Sequence, residues 1–219
     1  MVAIVVAILV AIMVKSASEQ PVLAYASIEG EDVLLRPVLA TDADAAYPLI
    51  HERPEVLDWL VWQGPDTVDV LRDAYGQWIK SSDNGHDYQF AVIETRTGAF
   101  AGTICLRFVD HPFVGDIGYW LGRPFWGSGL MTEAVFLVGH LAVSRLAAKK
   151  LFAEVFLGND RSCRVLEKNG YERSADSHPR VIEGRPDREE WAYELARERY
   201  LELADGRAGR IETTVRLAP

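Results

Sequence analysis

The chain predicts an α+β fold built on a central mixed sheet, mostly antiparallel and flanked by helices. Three observations predict it. Alternating apolar runs at 88–94, 99–109 and 117–121 follow one another through short turns, as antiparallel strands do. Helix-length segments marked by cap and stop residues stand on both sides of that group. A composition of 49% hydrophobic and 25% charged residues over 219 positions suits one well-cored domain. The resulting order is β-α-α-β-β-β-α-β-α-β.

Taken in order, residues 1–14 (MVAIVVAILVAIMV) are apolar throughout, and shorter than the roughly 20 residues a spanning helix needs. They read as an anchor or interaction arm, as an extension from an upstream start, or as an export signal, although no basic residue precedes the run. Residues 16–30 read as a linker, so the domain is expected over 31–203 with a tail over 204–219. Asp32–Pro37 is a short strand. Thr41-Asp42 caps a helix over Ala43–His51, a helical piece follows over Glu55–Leu60, and Thr67 caps a longer helix to about Lys80. Trp59 and Trp62 suit either packing or a substrate wall.

Tyr88–Glu94, the turn Thr97-Gly98 and Ala99–Val109 form a hairpin. His111-Pro112 leads into Ile117–Leu121. A helix from Gly129 to about Arg145, a buried strand Lys150–Phe156, and a helix Asp160–Lys168 stopped by Asn169-Gly170 come next. Val181-Ile182, Glu183-Gly184 and Trp191–Leu195 are expected to close the sheet as a hairpin. Arg197–Leu203 reads as a last helical turn or two, and 205–219 carries no pattern.

The net charge of −9 and pI near 5.1 disfavour nucleic-acid binding through phosphates and favour a cationic partner such as an amine. The two cysteines, Cys105 and Cys163, have no CxxC spacing, and the five histidines form no HxxxH pair. No metal is expected.

The organising stretch is Asp116–Ala134, DIGYWLGRPFWGSGLMTEA. Trp126-Gly127-Ser128-Gly129-Leu130 sits where strand becomes helix, so backbone N–H groups and the helix dipole can converge on one anion. The glycines equally suit any tight turn, but a second block, NDRSCRVLEKNGY at 159–171, stands downstream. Together the two blocks resemble the motifs of the GNAT superfamily of N-acetyltransferases, in particular its ribosomal-protein N-terminal acetyltransferase branch. The resemblance covers about Asp32–Tyr200. It implies a GNAT-like sheet, acetyl-CoA as cosubstrate, a pyrophosphate on the 126–130 backbone, and Ile117, Gly118, Tyr119 and Trp120 beside the acetyl group. For Trp120, a place in the sheet core is the preferred reading.

Acetyl transfer to an amine needs the thioester held, the amine deprotonated, the oxyanion stabilised and the thiolate tolerated or protonated. Asp116 is the first candidate base, with Glu183 and Glu172 as substitutes; a solvated strand-end carboxylate is the alternative for Asp116. The resemblance implies Ser162 as the acid for the thiolate, because the tyrosine many relatives carry before the Glu-Lys pair is Leu166 here. Asn159 is a cofactor-binding candidate and equally a helix N-cap. The family's Gln or Arg three positions before the first loop glycine is Pro124, beside Arg123, which puts a side-chain phosphate contact in doubt. An acetyl-Cys163 scheme is disfavoured, since no histidine lies near in sequence.

The expected activity is therefore N-acetyl transfer to a protein N-terminus or a small amine, in a cytoplasmic monomer or homodimer with membrane contact through 1–14 as an option. The competing reading is a non-catalytic acyl-CoA-binding module tethered by that arm. A P-loop is a poorer match, because no Lys-Ser or Lys-Thr follows the glycines.

Overall fold

The computed structural model describes residues 26–51, 54–81, 87–110, 113–182, 186–207 and 214–217. The apolar segment 1–14, Glu183 and most of the tail therefore lie outside the described residues. The strands are β1 (Ala26–Glu29), β2 (Val33–Pro37), β3 (Asp87–Glu94), β4 (Phe100–Asp110), β5 (Val114–Leu121), β6 (Lys150–Phe156), β7 (Glu172–Arg173), β8 (His178–Arg180), β9 (Arg188–Ala196) and β10 (Thr214–Leu217). The helices are α1 (Ala43–His51), α2 (Val68–Ser81), α3 (Leu130–His140), α4 (Asp160–Lys168) and α5 (Arg197–Arg207).

All ten strands belong to one sheet, in the order β10-β1-β2-β3-β4-β5-β6-β9-β7, with β8 also on β9. Every pairing is antiparallel except β5 with β6. The expected mixed, mostly antiparallel sheet is present. That parallel pair is short: Val114, Gly115 and Asp116 stand opposite Lys150, Leu151 and Phe152.

Two cores pack on the two faces. On one, Ile104, Leu106, Ile117, Leu151, Ala153 and Val155 meet α3 and Leu166 of α4. On the other, Ala91, Ile93, Phe100 and Trp120 meet Ala46, Ile50, Leu71 and Tyr75 of α1 and α2. Trp120 is thus a core residue, as read. Alternation along the strands sends neighbouring residues to opposite cores.

Local chemistry explains the joints. Thr67 Oγ1 accepts the Val70 N–H at 3.3 Å and starts α2, while Asn159 Oδ1 accepts the Ser162 N–H at 3.3 Å and starts α4. The carboxylate of Asp42 instead accepts the Leu39 N–H at 2.8 Å and binds Arg36 with both oxygens. It pins a 3-10 turn ahead of α1. Glu133, in the first turn of α3, accepts the Asp32 N–H at 3.0 Å and ties the β1–β2 turn to the helix. Beyond His140 the helix widens into a π turn to Arg145.

Several expectations need correction. The linker reading of 16–30 fails at Ala26–Glu29, and the patternless tail supplies β10, which pairs with β1. Strands of four residues are too short to show a periodicity, and β10 takes its pairing from a partner at the other end of the chain. The closing hairpin uses His178–Arg180, with His178 opposite Glu190, whereas Val181 is exposed. α5 runs past Leu203 to Arg207, docked through Tyr200, whose ring centroid lies 5.5 Å from that of Phe136.

Candidate active site

Past Asp116 and Phe152, β5 stays with β4 while β6 stays with β9, so the two parallel strands diverge. A cavity of about 480 Å³ occupies the opening. Asp116, Ile117, Gly118, Tyr119, Trp126, Gly127, Ser128, Gly129, Asn159 and Ser162 all line it. Leu130 is buried beneath the loop instead. Trp59 reaches the cavity wall, and Trp62 packs on the α1–α2 core.

At one end lies the glycine loop. Gly127 and Gly129 have φ of 78° and 94°, a backbone shape that disfavours side chains. A Cβ on either would meet nothing within 4 Å. The space before both is therefore open. Gly129 is the N-cap of α3 and has no side chain to satisfy the first-turn N–H groups; Ser128 Oγ stands 3.4 Å from Leu130 N and donates to Phe125 O at 2.6 Å. Arg161, Arg164 and Lys168 of α4 line the same cavity, with the Arg161 guanidinium 4.8 Å from the Trp126 ring centre. Open N–H groups beside cations suit a phosphate chain. Arg123 turns the other way and pairs with Glu55.

The α3–α4 side of the opening carries hydroxyls. Tyr119 packs with the core under α3, and its Oη lies 2.8 Å from Ser162 Oγ. Burial pushes the Tyr119 phenol above its ordinary pKa, partly offset by the bond to Ser162. Leu166, where relatives were expected to carry a tyrosine, is fully buried. Cys163 does not line the cavity.

The α1–α2 side carries charges. Alternation from Trp120 places Gly118 and Asp116 on this face. Asp116 lies inside β5, ion-paired with Arg107 of β4 and 16% exposed, which removes the solvated strand-end reading. Burial raises its pKa, and Arg107 pulls it back down. The Gly118 N–H points at Cys105 Sγ, 3.0 Å away, and burial pushes that thiol up to about 12.

Further along, Arg180 Nη1 binds Glu154 at 2.9 Å and Glu190 at 3.2 Å. The imidazole of His178 lies 3.3 Å and 3.2 Å from the same two carboxylates. Glu190 has 3% of its side chain exposed. Burial first, and then Glu154, raise its pKa. Glu154, His178 and Glu190 bring ligand-type atoms within 4.8 Å of one another, with Arg180 occupying both carboxylates.

Arg107, Glu154, Arg180 and Glu190 are absent from the sequence reading. Glu154 left one signal, a lone charge inside the apolar strand KLFAEVF. Arg107 left the same signal inside Ala99–Val109, and the register puts it opposite Asp116. Glu172, a substitute base, does not line the cavity, and Glu183 lies outside the described residues.

Residues 32–172 match the family described as "Acetyltransferase (GNAT) domain". The chain belongs to this GNAT acetyltransferase family. Members transfer acetyl from acetyl-CoA, so this GNAT protein is an acetyltransferase of that kind. It is 27% identical over 159 residues to Bacillus subtilis "Probable N-acetyltransferase YjcK", covering 70% of this chain and 88% of that one. The structure resembles Mycobacterium smegmatis RimJ in complex with CoA-disulfide, with a TM-score of 0.71, 20% identity, and coverage of 86% and 96%. It also resembles the microcin C7 self-immunity acetyltransferase MccE in complex with acetyl-CoA and AMP, with a TM-score of 0.67, 17% identity, and coverage of 76% and 93%. Among the described residues no helix is long and apolar enough to cross a membrane.

Proposed function

We propose that the protein is an N-acetyltransferase that moves acetyl from acetyl-CoA to a primary amine by direct attack. The observation that carries this reading is the two-sided opening between β5 and β6, with hydroxyls on one face, carboxylates on the other and an open glycine cradle at its end.

Acetyl-CoA supplies an activated acyl group with a thiolate leaving group. The backbone of 126–130 holds its pyrophosphate, assisted by Arg161 and Arg164. The amine enters from the face with Trp59 and the carboxylates. A primary amine has a pKa of about 10 in water, so a carboxylate takes its proton. Asp116 sits nearest the point of divergence but is held by Arg107, and Glu190 is the second candidate, with half-exposed His178 as a route to solvent. Backbone N–H groups of β5 polarise the acyl oxygen, and Ser162 donates to the departing sulfur.

The acceptor is a protein N-terminus or a small amine. Similarity to the probable N-acetyltransferase YjcK supports N-acetylation. Calorimetric titration of acetyl-CoA into the full chain, followed by thiol release with a panel of peptides, amino acids and polyamines, tests the reading. Micromolar binding with amine-dependent thiol release is expected. Saturable binding with no thiol release from any amine would instead favour the acyl-CoA-binding module.

A further inference from the structure

The hydroxyl pair at the divergence assigns a role to a residue that the reaction scheme above leaves idle. Ser162 is fixed at its backbone by Asn159, which accepts its N–H, but a serine side chain rotates and its single proton can point several ways. Tyr119 removes that freedom. Its Oη lies 2.8 Å from Ser162 Oγ and 3.4 Å from the Ser162 carbonyl oxygen.

Two arrangements are open to this pair. In one, the phenol donates to Oγ and the serine proton is left for the cavity. In the other, the serine donates to the phenol, whose own proton must then fall on the carbonyl at 3.4 Å. O–H···O bonds cluster at about 2.7–2.8 Å and weaken beyond about 3.0 Å, so the first arrangement is the stronger. A buried phenol whose pKa lies above the ordinary value stays protonated and keeps donating across the neutral range. The adjoining helical position that could have offered another hydroxyl is Leu166, buried in the core.

We infer that Tyr119 is a positioning residue: it donates to Ser162 Oγ and thereby aims the serine O–H at the sulfur of the departing thiolate. The inference rests on the acetyltransfer reading and names how its acid side is oriented. In the step served, the C–N bond forms and the C–S bond breaks with its electron pair on sulfur. The proton shed by the amine balances that charge. Ser162 stabilises the sulfur anion as a hydrogen-bond donor, and Tyr119 never leaves its protonated state.

The test is a double-mutant cycle on turnover, using Tyr119→Phe, Ser162→Ala and the pair, with a second readout on free CoA. Each single change is expected to lower kcat at least about tenfold, short of the roughly hundredfold or more of a full general acid because Ser162 lends a hydrogen bond to the sulfur and keeps its proton, with KM for acetyl-CoA within about twofold of the parent. The pair should be no worse than Ser162→Ala alone, because Tyr119 acts only through the serine. Additive losses, or an unaffected Tyr119→Phe enzyme, would overturn the assignment.

The second readout needs no turnover. Binding of CoA to the parent, followed by calorimetry, should strengthen as pH rises and the free thiol ionises, and both single variants should flatten that rise to the same degree. A Tyr119→Phe variant that keeps the parent's rise overturns the inference. A parent that binds CoA but acetylates no amine overturns the acetyltransfer reading and leaves this second readout to decide the hydroxyl pair.

Discussion

The two faces of the opening between β5 and β6 are made from different material. On the α3–α4 face, the loop 126–130, Asn159 and Ser162 are backbone donors and small polar side chains drawn from two short runs of sequence, joined by Tyr119. On the α1–α2 face, Arg107, Asp116, Glu154, Arg180 and Glu190 come one each from β4, β5, β6, β8 and β9. One face grips by shape that a few consecutive residues determine. The other is a charge arrangement that exists only after five strands have found their register. The first is suited to a constant cosubstrate and the second to the partner that distinguishes one such enzyme from another.

The largest expected effect strikes the first face. Gly127→Trp should weaken acetyl-CoA binding at least about tenfold, because the indole would occupy the space where backbone N–H groups meet the phosphates. A side chain at φ 78° also costs about 1–2 kcal/mol of strain. Gly127→Ala carries the same strain with far less bulk, so it should lose much less affinity for a similar drop in melting temperature. Equal affinity losses for the two would mean that strain, not occupancy, is what calorimetry reads.

The same contrast explains what was legible in the sequence. The glycine loop, the α4 cap at Asn159 and the strand-turn-strand of β3 and β4 depend on neighbours within a few positions, so residue type and spacing announce them. Ser162 and Asp116, which line the cavity, could be named in advance because they sit inside such blocks. Glu190, buried opposite Phe156, has no local signature, since its charged partners Arg180 and His178 stand ten and twelve positions away. β10 failed for the same reason, since its partner β1 stands at the other end of the chain; β1, which also pairs with β2, is only four residues long.

A smaller effect is expected on the charged face, and it sharpens which carboxylate takes the proton. Asp116→Asn and Glu190→Gln are each expected to slow turnover by several-fold to tenfold near neutrality, less than the roughly hundredfold or more of a general base acting directly. The base variant's deficit should shrink as pH rises towards the amine's own pKa, where the acceptor is already neutral. A deficit independent of pH marks positioning, which is the expected behaviour of whichever residue is not the base.

Smaller still is a stability effect of Glu190. Its pKa is raised in the folded protein, burial being the first cause. A carboxyl raised in this way favours folding below the ordinary value of 4.5, and loses that contribution as pH climbs through the raised folded value. Glu190→Gln cannot titrate. The melting temperature of the variant relative to the parent should therefore rise from acidic to neutral pH, on top of any constant offset from the lost bonds to Arg180 and His178. A difference that falls with pH would mean that Arg180 and His178 outweigh burial and hold the carboxyl below its ordinary range.

The smallest expected effect concerns Arg123, which stands beside the loop and by sequence alone was the nearest cation to the phosphates. In the structure it pairs with Glu55, with half of its side chain exposed, while Arg161 lines the cavity from α4. An exposed ion pair contributes about 0–1 kcal/mol, and this one links the loop to the α1–α2 face instead of to the ligand. Arg123→Ala should thus change acetyl-CoA affinity by less than about twofold and stability by under about 1 kcal/mol. Arg161→Ala should cost affinity several-fold, with the loss shrinking as salt screens the phosphate contact. If Arg123→Ala proved the more damaging of the two, the cation that completes the cradle would belong to the loop's own strand end, and the division between a gripping face and a charged face would have to be redrawn through Glu55.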